Sequence, residues 1–167
     1  TRKIDLVLCY SDGHHPGLQS IHLMDERIAP VCSPRYAETH ALTGDLHPLD
    51  HCTALHDVAA WDNAAFDAEW QLWASTTGAG ISLPRRFLTF DRSDLCTLAA
   101  LNHVGIAIGR EQLVKDRIAR GELVLPFGGF VDTPNYGYYL VYPHHDPMPK
   151  RLQVLIDWLL KEACTDL

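Results

Sequence analysis

The chain has 167 residues, enough for one ordinary domain or for two small lobes. Hydrophobic residues make up 47% of it, which is normal for a globular protein and excludes wholesale disorder. The formal net charge is −7, so the sequence lacks the basic surface that is typical of a nucleic-acid-binding protein. Direct contact between these residues and DNA is therefore not expected.

The cysteines indicate a reducing compartment. There are five of them, an odd number without a CxxC pair, and Cys9, Cys32 and Cys96 lie inside apolar segments, as buried free thiols do. The first residues do not resemble a signal peptide, and no apolar run reaches the roughly 18 residues of a transmembrane helix. These features predict a cytoplasmic protein.

The hydrophobic pattern predicts strands and helices in alternation. The predicted strands lie, in chain order, at 4–10, 21–32, 53–56, 87–90, 106–108, 123–127 and 136–142. The predicted helices lie at 34–41, from a cap at Asp67 to Gly78, between 93 and 105, at 110–120 and at 149–163. Such alternation predicts an α/β fold with a mainly parallel sheet.

Residues 87–109 are the most informative stretch, with the pattern of a strand, a tight corner, a helix and a second strand. Asp91 and Ser93 are both good helix N-cap residues. In a β-α-β unit the helix N-terminus lies beside the carboxyl end of the sheet, where its N–H groups and dipole suit a small anion such as a carboxylate. Spacing alone leaves two interpretations of Ser93: a simple cap, or part of an anion site.

The helix in this stretch has a clear apolar pattern. Leu95, Leu98 and Ala99 recur at helical spacing. Gly105 follows where a left-handed residue commonly ends a helix, and the next three residues are short enough for a buried parallel strand.

The sequence contains no common nucleotide-binding, serine-hydrolase or zinc-protease motif. The histidine doublets at 14–15 and 144–145 lack further ligands at helical or hairpin spacing, so no metal site is predicted. His56 and Asp57 follow a predicted strand, as ligand-contacting groups often do, although a solvated loop is the more frequent outcome. Cys96 is expected to be a packed, inert thiol, since it lies among apolar residues.

Several segments together resemble the effector-binding domain of LysR-type transcriptional regulators. They are IDLVL at 4–8, MDERIAPVCSP at 24–34, LHD at 55–57, EWQLW at 69–73, FDRSDL at 90–95, AALNHVGIAI at 99–108, GELVLPF at 121–127 and IDWL at 156–159. Within the family, the segments at 24–26, 55–57 and 90–95 look most like the branch that activates the D-serine deaminase operon. The resemblance covers nearly the whole chain in the right order.

The resemblance implies two Rossmann-like α/β lobes of the periplasmic-binding-protein type, joined by two crossing segments. The first lobe would combine 1–32 with 143–167, and the second would be 33–142. A small effector would bind in the cleft between them, without catalysis and without a cofactor.

The family's pocket implies the site residues. Ser93 and neighbouring N–H groups, with Arg92, would hold the carboxylate of a D-serine-like amino acid. Its ammonium would meet Asp12 or Asp57. Its hydroxyl would be read by one of three residues: Tyr10, His56 or Tyr138.

Two family features are not found in this sequence. Family members carry a helix-turn-helix DNA-binding domain, and their effector domain opens with a strand and a helix before the segment that matches 4–8. We therefore expect an incomplete first lobe with an uncovered sheet edge that promotes self-association. DNA contact is expected only through the absent N-terminal domain, in a homodimer or homotetramer of the full-length protein.

The expected function is ligand sensing in a transcriptional activator, in which effector binding changes lobe orientation. One alternative is a solute-binding protein of a transport system with the same bilobal fold; the lack of a signal peptide and the buried cysteines disfavour it. Another is a small amino-acid-processing enzyme that uses His56 and Asp57, for which turnover of D-serine would be the evidence. We expect no turnover.

Overall fold

The computed structural model describes residues 4–44, 47–61, 63–78 and 83–165. The chain forms two compact units. Unit 1 combines residues 1–26 with 133–167, and unit 2 consists of residues 27–132. The equivalence of these units with the two predicted lobes stays a prediction.

The described residues form six strands and five α-helices. The strands are β1 (Val7–Ser11), β2 (Leu18–Val31), β3 (Thr53–Asp57), β4 (Arg86–Phe90), β5 (Ile106–Arg110) and β6 (Val131–Pro143). The helices are α1 (Pro34–Thr39), α2 (Ala68–Thr77), α3 (Ser93–Leu101), α4 (Glu111–Ala119) and α5 (Lys150–Thr165), and a 3-10 turn spans His47–His51. None of the described helices is long and apolar enough to cross a membrane.

In unit 1 the strand order is β1-β6-β2, and β1 runs antiparallel to β6. Helix α5 covers this sheet because Leu152 and Ile156 bury themselves against Leu140 and Tyr142. Leu155 recurs at the same helical spacing in the sequence, but it is 42% exposed. The buried face is therefore narrower than the sequence pattern indicates.

In unit 2 the strand order is β2-β5-β3-β4. β3 pairs in parallel with both β4 and β5, whereas β2 runs antiparallel to β5. Two of the three pairings in unit 2 are thus parallel, as predicted, whereas the pairing of β1 with β6 in unit 1 is antiparallel. The parallel part is the β-α-β unit predicted for residues 87–109, with β3 inserted between its two strands.

Helix α3 buries a different face from the one predicted. Cys96 and Ala100 pack in a core cluster with Ala107 of β5, whereas Leu98 is 53% exposed. Small side chains suit this contact with Ala107, because interiors are packed without room for extra methylene groups. The spacing of the leucines therefore predicts the wrong buried face of the helix.

The end of α3 also differs from the prediction. The left-handed residue there is His103, with φ of 63°, and not Gly105. Gly105 is required for space, because a Cβ at this position would lie 2.3 Å from the carbonyl oxygen of Thr53. The glycine thus permits a close approach between the start of β5 and the start of β3.

The strand predicted at 123–127 is absent from the described structure. Val124 makes only an isolated antiparallel bridge to Cys32, through backbone hydrogen bonds of 3.3 and 2.8 Å. Pro126 has no N–H group with which to extend such a ladder. β6, by contrast, is longer than predicted and begins at Val131.

Candidate functional site

The corner between β4 and α3 is formed as the sequence predicts, but it is not capped as predicted. The N-cap residue is Arg92, whose side chain makes no capping hydrogen bond, and Ser93 is the first helical residue. The interpretation of Ser93 or Asp91 as a simple N-cap is therefore wrong. Ser93 instead lies at the N-terminus of a nine-residue helix, where the dipole favours an anion.

Arg92 is engaged by a neighbour on the same corner. Its Nε and Nη2 donate to the two carboxylate oxygens of Asp94 at 2.9 and 2.5 Å. This hydrogen bonding raises the pKa of Arg92 and lowers the pKa of Asp94. Both side chains are exposed, so a ligand carboxylate would have to compete with Asp94 for this guanidinium.

His56 lies in β3 and is buried, with 4% of its surface exposed. Its ring packs edge-on against Phe66, Trp70 and Phe87 at centroid distances of 5.2, 6.3 and 5.5 Å. Within the part of the chain that the structure describes, Nδ1 has no hydrogen-bond partner. Burial lowers the pKa of His56, with a smaller opposing effect from Asp67, so the imidazole is neutral at pH 7.

Asp57 is held in a buried ionic network. Its Oδ1 accepts from the backbone N–H of Ala59 at 2.9 Å, and its Oδ2 lies 4.0 Å from Nη2 of Arg110. Arg110 donates twice to Oε1 of Glu69, at 3.0 and 2.9 Å, and once to the carbonyl oxygen of Ala60 at 2.9 Å. This network fixes the segment between β3 and α2.

Sequence reasoning missed this network. It placed Arg110 at the start of a helix, whereas Arg110 is the buried last residue of β5. Glu69 lies in the first turn of α2, where an acidic residue is common, so the sequence gave no signal that it is buried. A buried charge normally needs such a partner.

The carboxyl ends of β3 and β4 bring two groups of predicted site residues to one edge of unit 2. Asp57 is in register with Phe90, and the N–H of Val58 donates to the Phe90 carbonyl oxygen at 2.8 Å. The ends of β3 and β4 therefore lie side by side. His56 lies just before the end of β3, and Arg92 lies just after the end of β4.

Unit 1 brings together Tyr10 and Tyr138. They are directly paired between β1 and β6, with ring centroids 5.3 Å apart. The hydroxyl of Tyr138 donates to Oε2 of Glu26 at 2.6 Å, and Glu26 is buried. Glu26 was not predicted as a site residue, because it lies between Asp25 and Arg27 and nothing in this charged run singles it out as buried.

Asp12 lies in the loop after β1 and is exposed. Its Oδ1 accepts from the N–H of His14 at 2.9 Å, which is a local turn contact. In the same loop, Nε2 of His15 lies 2.9 Å from Oγ of Ser11 and 3.6 Å from Sγ of Cys9. The sequence gave no indication of this cluster.

The remaining predictions concern cysteines and metals. Burial raises the pKa of Cys96, and likewise of Cys32, to about 12, so both thiols are unreactive near neutral pH. Among the described residues, no group of three or more potential ligands is arranged to hold a metal ion.

Comparison with known proteins identifies relatives of the whole segment. The chain is 43% identical over 163 residues to the HTH-type transcriptional regulator DsdC of Escherichia coli K12, and it is 31% identical over 160 residues to the regulator PerR of the same organism. These alignments cover 97% and 95% of this chain but 51% and 50% of the two regulators. The chain thus spans about half the length of the curated relatives it matches. They are transcriptional regulators, not enzymes.

A solved structure supports the fold. The effector domain of AmpR from Pseudomonas aeruginosa superimposes with a TM-score of 0.80 at 23% identity, covering 98% of this chain and 74% of that one. The predicted α/β class, that of LysR effector-binding domains with their periplasmic-binding-protein-like lobes, is confirmed. The family model described as "LysR substrate binding domain" matches residues 1–164. The chain therefore belongs to the LysR substrate-binding domain family.

Proposed function

We propose that this chain is the ligand-sensing domain of a LysR-type transcriptional activator and that its effector is a small amino acid, D-serine. The observation that carries this proposal is the family match over residues 1–164 together with 43% identity to DsdC. D-serine is chosen because the segments at 24–26, 55–57 and 90–95 resemble the D-serine deaminase operon activator.

The α3 N-terminus is the best site for the effector carboxylate. Ser93 supplies a hydroxyl at the first helical position, beside the backbone N–H groups of the helix N-terminus. Their dipole direction favours a negative charge. The guanidinium of Arg92 also binds the ligand carboxylate, which then replaces the carboxylate of Asp94 as its partner.

The rest of the amino acid needs one acceptor for its ammonium group and one polar contact for its hydroxyl. Asp12 and Asp57 supply carboxylates, of which Asp12 is the more exposed. Tyr10, Tyr138 and His56 supply polar groups on apolar rings, an arrangement that suits a small hydroxyl. Effector binding then biases the equilibrium between arrangements of the regulator.

The partners of the whole regulator follow from the relatives. We propose that DNA is contacted through a helix-turn-helix domain outside this sequence and that the full-length protein acts in the cytoplasm as a homodimer or homotetramer. No observation favours a transport protein, since the relatives reported above are transcriptional regulators.

Calorimetric titration of the chain with D-serine, L-serine, glycine and D-alanine tests the effector. We expect saturable binding of D-serine, weakened at least tenfold (about 1.4 kcal/mol) by Ser93→Ala. Ser75→Ala is the matched control, because this exposed helical serine bonds only locally, to the Leu72 carbonyl oxygen at 2.9 Å. If none of the four compounds binds to chain shown to be folded by circular dichroism, the D-serine assignment is wrong.

A further inference from the structure

The contact between Tyr138 and Glu26 fixes the direction of a hydrogen bond. The Tyr138 hydroxyl donates to Oε2 of Glu26, and the two oxygen atoms are 2.6 Å apart, at the short end of the range for an O–H···O hydrogen bond. Because the hydroxyl is the donor in this contact, the single hydroxyl proton of Tyr138 is directed at Glu26. Any further group that bonds to the same phenol oxygen must then be a donor.

The position of Glu26 makes this arrangement rigid. Its side chain is buried, with 2% of the residue exposed. Its carbonyl oxygen accepts from the hydroxyl of Thr133 at 2.9 Å, and that hydroxyl also lies 3.2 Å from the carbonyl oxygen of Tyr136. The ring of Tyr138 is packed against that of Tyr10. The backbone at Glu26 and the ring of Tyr138 are therefore both held by neighbouring contacts.

We propose that Glu26 is a positioning residue that makes Tyr138 an obligatory hydrogen-bond acceptor toward the effector. The effector consequently presents a donor, either its hydroxyl or its ammonium group, to Tyr138, and never its carboxylate. This inference rests on the proposed function, because it places the effector beside Tyr138. It restricts the effector groups that can contact Tyr138 to donors.

The first test needs no ligand. We expect the Tyr138 hydroxyl proton to give a downfield, slowly exchanging proton NMR signal, since it is held by a buried carboxylate. Tyr138→Phe should remove the signal and so assign it, and Glu26→Gln should shift it upfield or abolish it. Glu111→Gln is the matched control, because Glu111 pairs with Arg27 in unit 2. A spectrum without this signal, or one that Glu26→Gln leaves unchanged, overturns the proposal.

The second test identifies the donor. Wild type and Tyr138→Phe are titrated with four compounds. D-serine has both the ammonium and the hydroxyl donor, D-alanine has only the ammonium, 3-hydroxypropionate has only the hydroxyl, and propionate has neither. If the ligand hydroxyl is the donor, Tyr138→Phe weakens D-serine and 3-hydroxypropionate about tenfold and leaves D-alanine within about twofold. If the ammonium is the donor, Tyr138→Phe weakens the binding of D-serine and D-alanine and leaves the binding of 3-hydroxypropionate unchanged.

Propionate, which has neither donor, provides the measurement that could overturn the proposal. A loss of propionate affinity in Tyr138→Phe as large as that of D-serine means that Tyr138 contacts the carboxylate, which contradicts the inference. Glu26→Gln adds a readout that a purely structural role would not change: the preference for D-serine over propionate should fall at least about fivefold, because an amide no longer fixes the phenol. If wild type binds none of the amino acids, the D-serine assignment fails, and the hydroxyl proton signal alone decides the role of Glu26.

Discussion

The buried acidic side chains of the two units have different partners. In unit 2, Glu69 and Asp57 face the guanidinium of Arg110, so opposite charges are brought together out of water. In unit 1, Glu26 accepts a hydrogen bond from the neutral phenol of Tyr138. A buried ion pair of the first kind is costly to break, because removal of one partner leaves an uncompensated charge.

This difference separates a structural role from a recognition role. The Arg110 network also binds the Ala60 carbonyl oxygen and so fixes the backbone between β3 and α2. The Glu26–Tyr138 pair instead orders a half-buried phenol beside another tyrosine. We therefore expect the unit 2 network to govern stability and the unit 1 pair to govern ligand selectivity.

The largest expected effect is on Arg110. Arg110→Met keeps the length and apolar stem of the side chain but leaves Glu69 and Asp57 without their cation. We expect the free energy of unfolding to fall by about 3–5 kcal/mol, measured by urea denaturation monitored by circular dichroism. The control is Arg27→Met, which breaks the half-exposed pair with Glu111 and should cost no more than about 1 kcal/mol. Equal losses in the two variants would show that the buried network has no special role.

A smaller effect is expected for Tyr138→Phe. It removes one donor from the buried Glu26 carboxylate and little volume, so the free energy of unfolding should fall by about 1–3 kcal/mol. The same urea experiment measures it, and Tyr139→Phe is a neighbouring control because the ring of Tyr139 contacts His22. A loss as large as that of Arg110→Met would contradict the distinction between the units.

Much of the fold could be predicted from local patterns. The β4-α3-β5 unit has a tight corner and an apolar helix pattern, and Trp70 and Trp73, three positions apart in α2, are both buried. The helix face of α3 could not be predicted, because it depends on which residues of β5 lie beneath it. Periodicity measures the side chains of one element and contains nothing about the size of those opposite.

For the candidate site, the sequence indicated individual residues but not the contacts between them. The sequence indicated Tyr10, Tyr138 and His56 through the family resemblance, and the structure adds contacts that spacing cannot reveal. Glu26 lies 112 positions from Tyr138 along the chain, and Arg110 lies 41 positions from Glu69. Contacts over such separations depend on strand order, which the alternation of helices and strands leaves open.

The smallest effect concerns His56, a buried group whose Nδ1 has no hydrogen-bond partner among the described residues. Burial lowers its pKa in the folded chain below the ordinary value of 6.5, so between these two values the unfolded chain binds the proton that the folded chain excludes. Stability contributed by the neutral imidazole is therefore fully present above about pH 6.5 and declines as the pH falls through that value, with a slope of at most about 1.4 kcal/mol per pH unit.

Comparison with His56→Phe isolates this contribution, because phenylalanine fits among the rings of Phe66, Trp70 and Phe87 without a titrating nitrogen. Urea unfolding at pH 7.5, 6.5 and 5.5 should show wild type losing stability relative to the variant as the pH falls. A difference between the two that stays constant over this range means that His56 takes up no extra proton on unfolding. In that case the imidazole would already be compensated in the folded chain, and the contrast between His56 and the paired acids of both units would disappear.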